Sequence, residues 1–259
     1  FAAREIVIDL DGGRQAGTGI ALADGSLRID LASEPEAAEL DLRLGGPLTQ
    51  VWALLRHPRL KLFERRPVPI SDLGGTLREA RLRIAFPFLA DLPVERIAVS
   101  ATGRGTEVRI PGALLGRDIE RGTLDFTADT EGLRVSGSAT LAGIGLRLTH
   151  ESDFRPGPAA QVVARETVSA RADARQIAAL GLDPEPFVRG PVGLDVRSET
   201  RRNGQGRVLL RADLRGARLA VEPLAWSKAP GIAAAGEATL QMRAGVLQSI
   251  EAIRITGPD

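Results

Sequence analysis

The stretch Leu133-Arg-Val-Ser-Gly-Ser-Ala-Thr-Leu-Ala-Gly-Ile-Gly-Leu-Arg-Leu148 decides the fold. Leu133, Val135, Gly137, Ala139 and Leu141 alternate with Arg134, Ser136, Ser138 and Thr140. After Ala142-Gly143 the alternation resumes, with Ile144, Leu146 and Leu148 set against Gly145, Arg147 and Thr149. A period of two sends successive side chains to opposite faces of a strand, so the segment reads as a hairpin with one aliphatic face and one wet face. What touches the aliphatic face is the question the rest of the chain must answer.

Outward from this hairpin the same text recurs roughly every ten residues, the spacing of an antiparallel meander. Strands are predicted over Glu5 to Leu10, Gly17 to Leu22, Ser26 to Leu31, Ala38 to Leu44, Arg81 to Phe86, Ile97 to Ala101 and Glu107 to Ile110. They continue over Gly122 to Thr127, Leu133 to Leu141, Ile144 to Ser152, Ala160 to Arg165 and Thr167 to Ala172. The last are Val192 to Thr200, Arg207 to Leu214, Ala217 to Val221, Ala233 to Ala244 and Ser249 to Ile255. Arg202-Asn203-Gly204-Gln205 is the best hairpin turn, because Asn-Gly suits positive φ angles.

Two interruptions read as helices. Pro47 to Arg56 carries Leu48, Val51, Trp52, Leu54 and Leu55 on one stripe and is stopped at His57-Pro58, where His57 suits the negative end of the helix dipole. Asp173 to Leu180 has Asp173 as N-cap and Gly181 as stop. Each is followed by Pro-containing chain and a Gly-marked strand, a faint internal repeat. The 259 residues read as one continuous β fragment with a weak joint near 154–159, at Phe154-Arg-Pro-Gly-Pro158.

Composition excludes several functions. Lys+Arg 34 against Asp+Glu 33 gives net charge +1, and basic patches interleaved with aromatics are missing, so no nucleic-acid partner is expected. Cysteine is absent, which removes disulfides, thiolate metal sites and Cys nucleophiles. Neither Lys61 nor Lys228 follows a glycine, so there is no phosphate-binding loop. His150-Glu151-Ser-Asp-Phe154 starts like a zinc-protease helix but has Phe154 where the second histidine belongs. With only His57 and His150, a metal site or serine relay is not expected; carboxylates fall on nearly every wet face, so none marks a catalytic pair. The expectation is a non-enzyme without cofactors. No apolar run reaches the ~20 residues of a membrane-spanning helix, and the chain opens at Phe1 and stops at Asp259 in mid-pattern, as a piece of something longer would.

A sheet with one dry face must bury it against a second sheet, a helix or a ligand. Two short helices cannot cover so many strands. The fold expected is all-β with two short helices, a long curved antiparallel sheet forming a U-shaped apolar groove; a closed β-sandwich is the alternative. The groove would be lined by Val108, Ile110, Leu124, Phe126, Leu133, Val135, Leu141, Ile144, Leu146, Leu148 and Leu194, with Val208, Leu210 and Leu214 continuing the stripe. The scarcity of aromatics (Phe 7, Trp 2, Tyr 0) leaves Leu, Val, Ile and Ala to form that surface, which suits flexible alkyl chains.

One further stretch is more particular: Leu224-Ala-Trp226-Ser-Lys228-Ala-Pro230-Gly231-Ile-Ala-Ala-Ala-Gly236. Its Trp-x-Lys-x-Pro-Gly turn resembles the large AsmA-like envelope proteins of Gram-negative bacteria, of the YhdP type, relatives of TamB. Asp24-Gly25-Ser-Leu27, Leu40-Asp-Leu42-Arg-Leu44-Gly45-Gly46-Pro47 and Leu73-Gly-Gly-Thr-Leu77 resemble that family's text of strand, Gly turn and strand. The resemblance implies a middle fragment of a periplasmic chain, anchored in the inner membrane outside this fragment. Its partners would be phospholipid acyl chains, the remaining parts of the same chain, and proteins of the inner and outer membranes. The implied function is a non-enzymatic conduit carrying lipid between the two membranes and supporting the outer-membrane barrier. A structural β-sandwich that scaffolds outer-membrane assembly is the competing expectation.

Overall fold

The computed structural model describes residues 4–56, 70–114, 116–181 and 184–257. His57, Pro58 and Lys61 lie outside the described residues, so the expected helix stop at His57-Pro58 goes with them.

Strands follow one another as the alternation requires. They are β1 Glu5–Arg14, β2 Ala21–Asp30, β3 Ala37–Pro47, β4 Gly74–Pro87, β5 Ala98–Leu114, β6 Arg117–Asp129, β7 Gly132–Leu141, β8 Ile144–Asp153 and β9 Val162–Ala172. After these come β10 Val188–Arg189, β11 Val192–Arg201, β12 Gln205–Asp213, β13 Arg218–Val221, β14 Trp226–Lys228, β15 Ala235–Arg243 and β16 Val246–Thr256. Thirteen form one antiparallel sheet in the order β1-β2-β3-β4-β5-β6-β7-β8-β9-β11-β12-β15-β16, not closed into a barrel. The other three, β10-β13-β14, form a small separate sheet. Among the described residues the protein is mostly β with two short α-helices, as expected.

Several predicted breaks are absent. Of the predicted strand Gly17 to Leu22, Gly17 and Thr18 form a turn and only Ala21 and Leu22 are strand. These two open the bulged strand β2, which also holds Ser26 to Asp30 and whose register shifts between Leu22 and Asp24. Gly25 lies inside it. A Cβ there would sit 2.7 Å from Leu42 Cδ2 and 2.8 Å from the Asp41 carbonyl oxygen, so glycine marks close strand approach rather than a turn. Ile97 to Ala101 and Glu107 to Ile110 likewise fuse in β5, and Ala160 to Arg165 and Thr167 to Ala172 in β9. Both aliphatic hairpins turn on the same dipeptide: Ala142 (φ 47°) with Gly143 (φ 79°), and Ala244 (φ 49°) with Gly245 (φ 80°). Positive φ at both central residues matches the right-handed strand twist.

Helix α1, Leu48–Leu55, buries Leu48 and Trp52 and starts from Pro47. Helix α2, Ala174–Ala179, is held by a reciprocal cap: the Asp173 carboxylate accepts from the Gln176 N–H at 2.9 Å, and the Gln176 side chain accepts from the Asp173 N–H at 2.9 Å.

The chain divides into two compact units: Phe1–Pro111 with Glu120–Arg134, and Gly112–Ile119 with Val135–Asp259. The segment 154–159 lies inside the second unit. There Arg155 pairs with Asp153 at 3.0 Å, and the Asn203 N–H donates to the Ala159 carbonyl at 3.0 Å.

Candidate functional site

In the first unit, cross-strand register assembles aliphatic rows. Ile8, Leu27, Leu40, Ile84 and Val99 face one another in sequence across β1 to β5, and Leu10, Gly25, Leu42, Leu82 and Ala101 form the next row. Directly opposed residues share a face, so the rows make one continuous apolar surface. Part of it hollows into an open cleft of about 460 Å³, lined by Leu10, Gly13, Gln15, Ile20, Leu22, Leu40, Leu42 and Leu44.

The other face of the same strands is an ion-pair ladder. Glu5 meets Arg28 at 2.8 Å, Asp24 meets Arg43 at 3.4 Å, and Arg83 reaches Glu39 at 3.0 Å. Asp41 accepts two Arg81 nitrogens, at 2.9 and 2.7 Å, and an Arg83 nitrogen at 3.0 Å. Those donors hold its carboxyl down at about 2, against the desolvation that opposes them.

In the second unit two rows repeat the arrangement. One runs Leu146, Ala170, Leu194, Ala212, Gly236, Ile255; the next runs Leu148, Val168, Val196, Leu210, Ala238, Ile253. Its wet face carries Arg165 with Glu199 and Arg211 with Glu237, each at 3.2 Å.

Burial sorts the expected lining residues into two groups. Val108 and Leu124 are buried at 3% and 7% exposure, and Val108 shares Gly105 with Leu48 of α1. Leu141 and Leu146 are buried in a cluster with Ala139 against which Leu180, just after α2, packs; Ile144 is buried at 3%. Leu214 is buried among Val192, Ala217, Leu219 and Ala234, with Ile177 and Trp226 packed on that cluster. Protein therefore covers these six positions. Ile110, Phe126, Leu133, Val135, Leu148, Leu194, Val208 and Leu210 are half-buried along the strands, and Phe126 lies over Gly103. Among the described residues, Leu48 of α1, Leu180 after α2, and Leu219 and Trp226 of the small sheet pack on part of the aliphatic face.

The alternation hid two features. His150, Glu166 and Ser198 oppose one another on the aliphatic face, in a row completed by Val208, Leu240 and Ile250. His150 Nδ1 lies 3.3 Å from Glu166 Oε1, and Nε2 lies 2.7 Å from Ser152 Oγ. The His150 contact, with a Ser198 hydroxyl bond, lowers the Glu166 carboxyl against desolvation. The second feature is Lys228 of the Trp-x-Lys-x-Pro-Gly turn. It is 1% exposed, and its Nζ donates to the carbonyls of Ala217 (2.8 Å), Ile232 (2.9 Å), Ala229 (3.1 Å) and Arg215 (3.3 Å). The turn is thus a clasp for the small sheet. Among the described residues no group of three or more His, Asp or Glu side chains is placed to hold a metal, and no helix is long and apolar enough to cross a membrane.

Compared with family models, curated proteins and solved structures, the chain matches none.

Proposed function

We propose that the protein is a non-enzymatic phospholipid-binding segment of an AsmA-like envelope protein, with acyl chains lying on the aliphatic face of a curved, groove-forming sheet. One observation carries this reading: aliphatic rows extend over successive strands of an unclosed sheet and stay half-buried where a sealed core would leave them dry. Placing an alkyl chain on such a surface gains ~0.8 kcal/mol per CH₂ and demands no directional contact, so a lipid can shift along the rows at little cost. The ion-pair ladder keeps the opposite face in water. On this reading the segment works in the periplasm, within a longer chain held in the inner membrane, and passes lipid between the membranes to maintain the outer-membrane barrier.

The test is native mass spectrometry of the purified chain from a Gram-negative host. Phospholipid adducts that persist under mild activation are expected. A lipid-free protein that also takes up no phospholipid from vesicles would favour the scaffolding alternative.

A further inference from the structure

We infer that the His150–Glu166–Ser198 trio is a headgroup site selecting an ammonium-bearing polar head, with the lipid tail continuing over Val208, Leu240 and Ile250 of the same row. This rests on the lipid-binding reading above and adds a chemical preference to it.

A carboxylate among aliphatic side chains loses hydration, so Glu166 requires compensation there. Its partners supply it inward. Ionised Glu166 can only accept, so His150 Nδ1–H donates to Oε1, and the Ser198 hydroxyl donates to the same carboxylate. In the neutral imidazole Nε2 then accepts the Ser152 hydroxyl hydrogen across 2.7 Å. With the ring neutral, every hydrogen of the cluster is turned inward. What remains outward is acceptor capacity: the free lone pairs of Glu166 and the oxygens of Ser152 and Ser198.

Such a surface accepts a group with several N–H donors and positive charge, and it repels a phosphodiester whose other substituent has no cation. His150 and Glu166 keep 31% and 44% of their side-chain surface exposed, so the site is reachable from solvent. The neighbouring positions on this face, Ala164, Val168, Val196 and Val208, carry no competing charge. A primary ammonium on a lipid head satisfies the acceptors while its tail covers the aliphatics beside them.

The experiment offers the purified chain equimolar phosphatidylethanolamine and phosphatidylglycerol of identical acyl composition in vesicles and quantifies bound lipid by mass spectrometry. About three- to five-fold enrichment of the ethanolamine lipid is expected, the size of a half-exposed ion pair. Glu166→Gln and Ser198→Ala should bring the ratio toward one. Asp195→Asn, on the opposite face of β11, should keep it. Equal uptake of both lipids by the wild-type chain overturns the headgroup site while leaving the lipid reading intact; uptake of neither overturns both. Free phosphoethanolamine binding as tightly as the lipid would show a soluble amine site and overturn the lipid source.

Discussion

Lys228 Nζ lies 2.8 Å from the Ala217 carbonyl oxygen, and Ala217 is itself fully buried. An ammonium bound only by main-chain carbonyls works as an internal tie: it fastens β14 to the 214–217 turn and to the chain after Pro230. Lys228→Met leaves several carbonyls without their donor. We expect a loss of about 3 kcal/mol in urea unfolding, with the small sheet and Trp226 loosened first. A loss below about 1 kcal/mol would mean that packing of the apolar cluster suffices.

Leu146 and Leu210 look alike in sequence and differ in burial. Leu146→Ala opens a cavity beneath Leu180 and should cost about 3 kcal/mol. Leu210→Glu places a charge on the half-buried row, should cost about 1 kcal/mol or less, and should abolish lipid adducts in native mass spectra. Adducts undiminished in a folded Leu210→Glu protein would take that row out of the lipid path.

Ala142 and Ala244 occupy the left-handed region, where a Cβ is strained and asparagine is better tolerated. Ala142→Asn and Ala244→Asn should each stabilise the chain by about 0.5 kcal/mol, additively, since the hairpins are separate. Calorimetry of the double variant checks this; an unchanged or lower Tm would contradict it.

Asp41 gives a pH dependence of defined sign. Its folded carboxyl titrates at about 2, below its ordinary 3.8, so its contribution is complete above the ordinary value and is lost as pH falls through the folded one. Allowing for the exposure of Arg81, the contribution is about 1 kcal/mol. Asp41→Asn should lower stability by that amount at pH 7, and the difference should close between about pH 4 and pH 2. Parallel denaturant titrations of the two proteins would show whether it does.

Much of the fold was legible because alternation is a local property. Leu133 to Leu148 gave a hairpin, Asp173 with Gln176 gave a capped helix, and Asn203-Gly204 gave a turn. Gly25 misled, since a glycine admitted for a turn and one admitted for close strand approach are the same letter. Glu166 misled in another way. It breaks the aliphatic text of β9 and reads as a strand end until register sets it against His150 and Ser198.

By itself, then, the chain determined which side chains share a face, because the pleat fixes that residue by residue. Only tertiary structure decided which of those faces are dry. Leu146 and Leu148 carry the same side chain two positions apart, yet Leu146 is buried in the cluster on which Leu180 packs, while Leu148, packed against the same cluster, stays half-buried. Lys228 likewise became a buried tie only when the chain from 215 to 232 folded back around it. Coverage and caging depend on contacts between distant segments, and no local spacing records them.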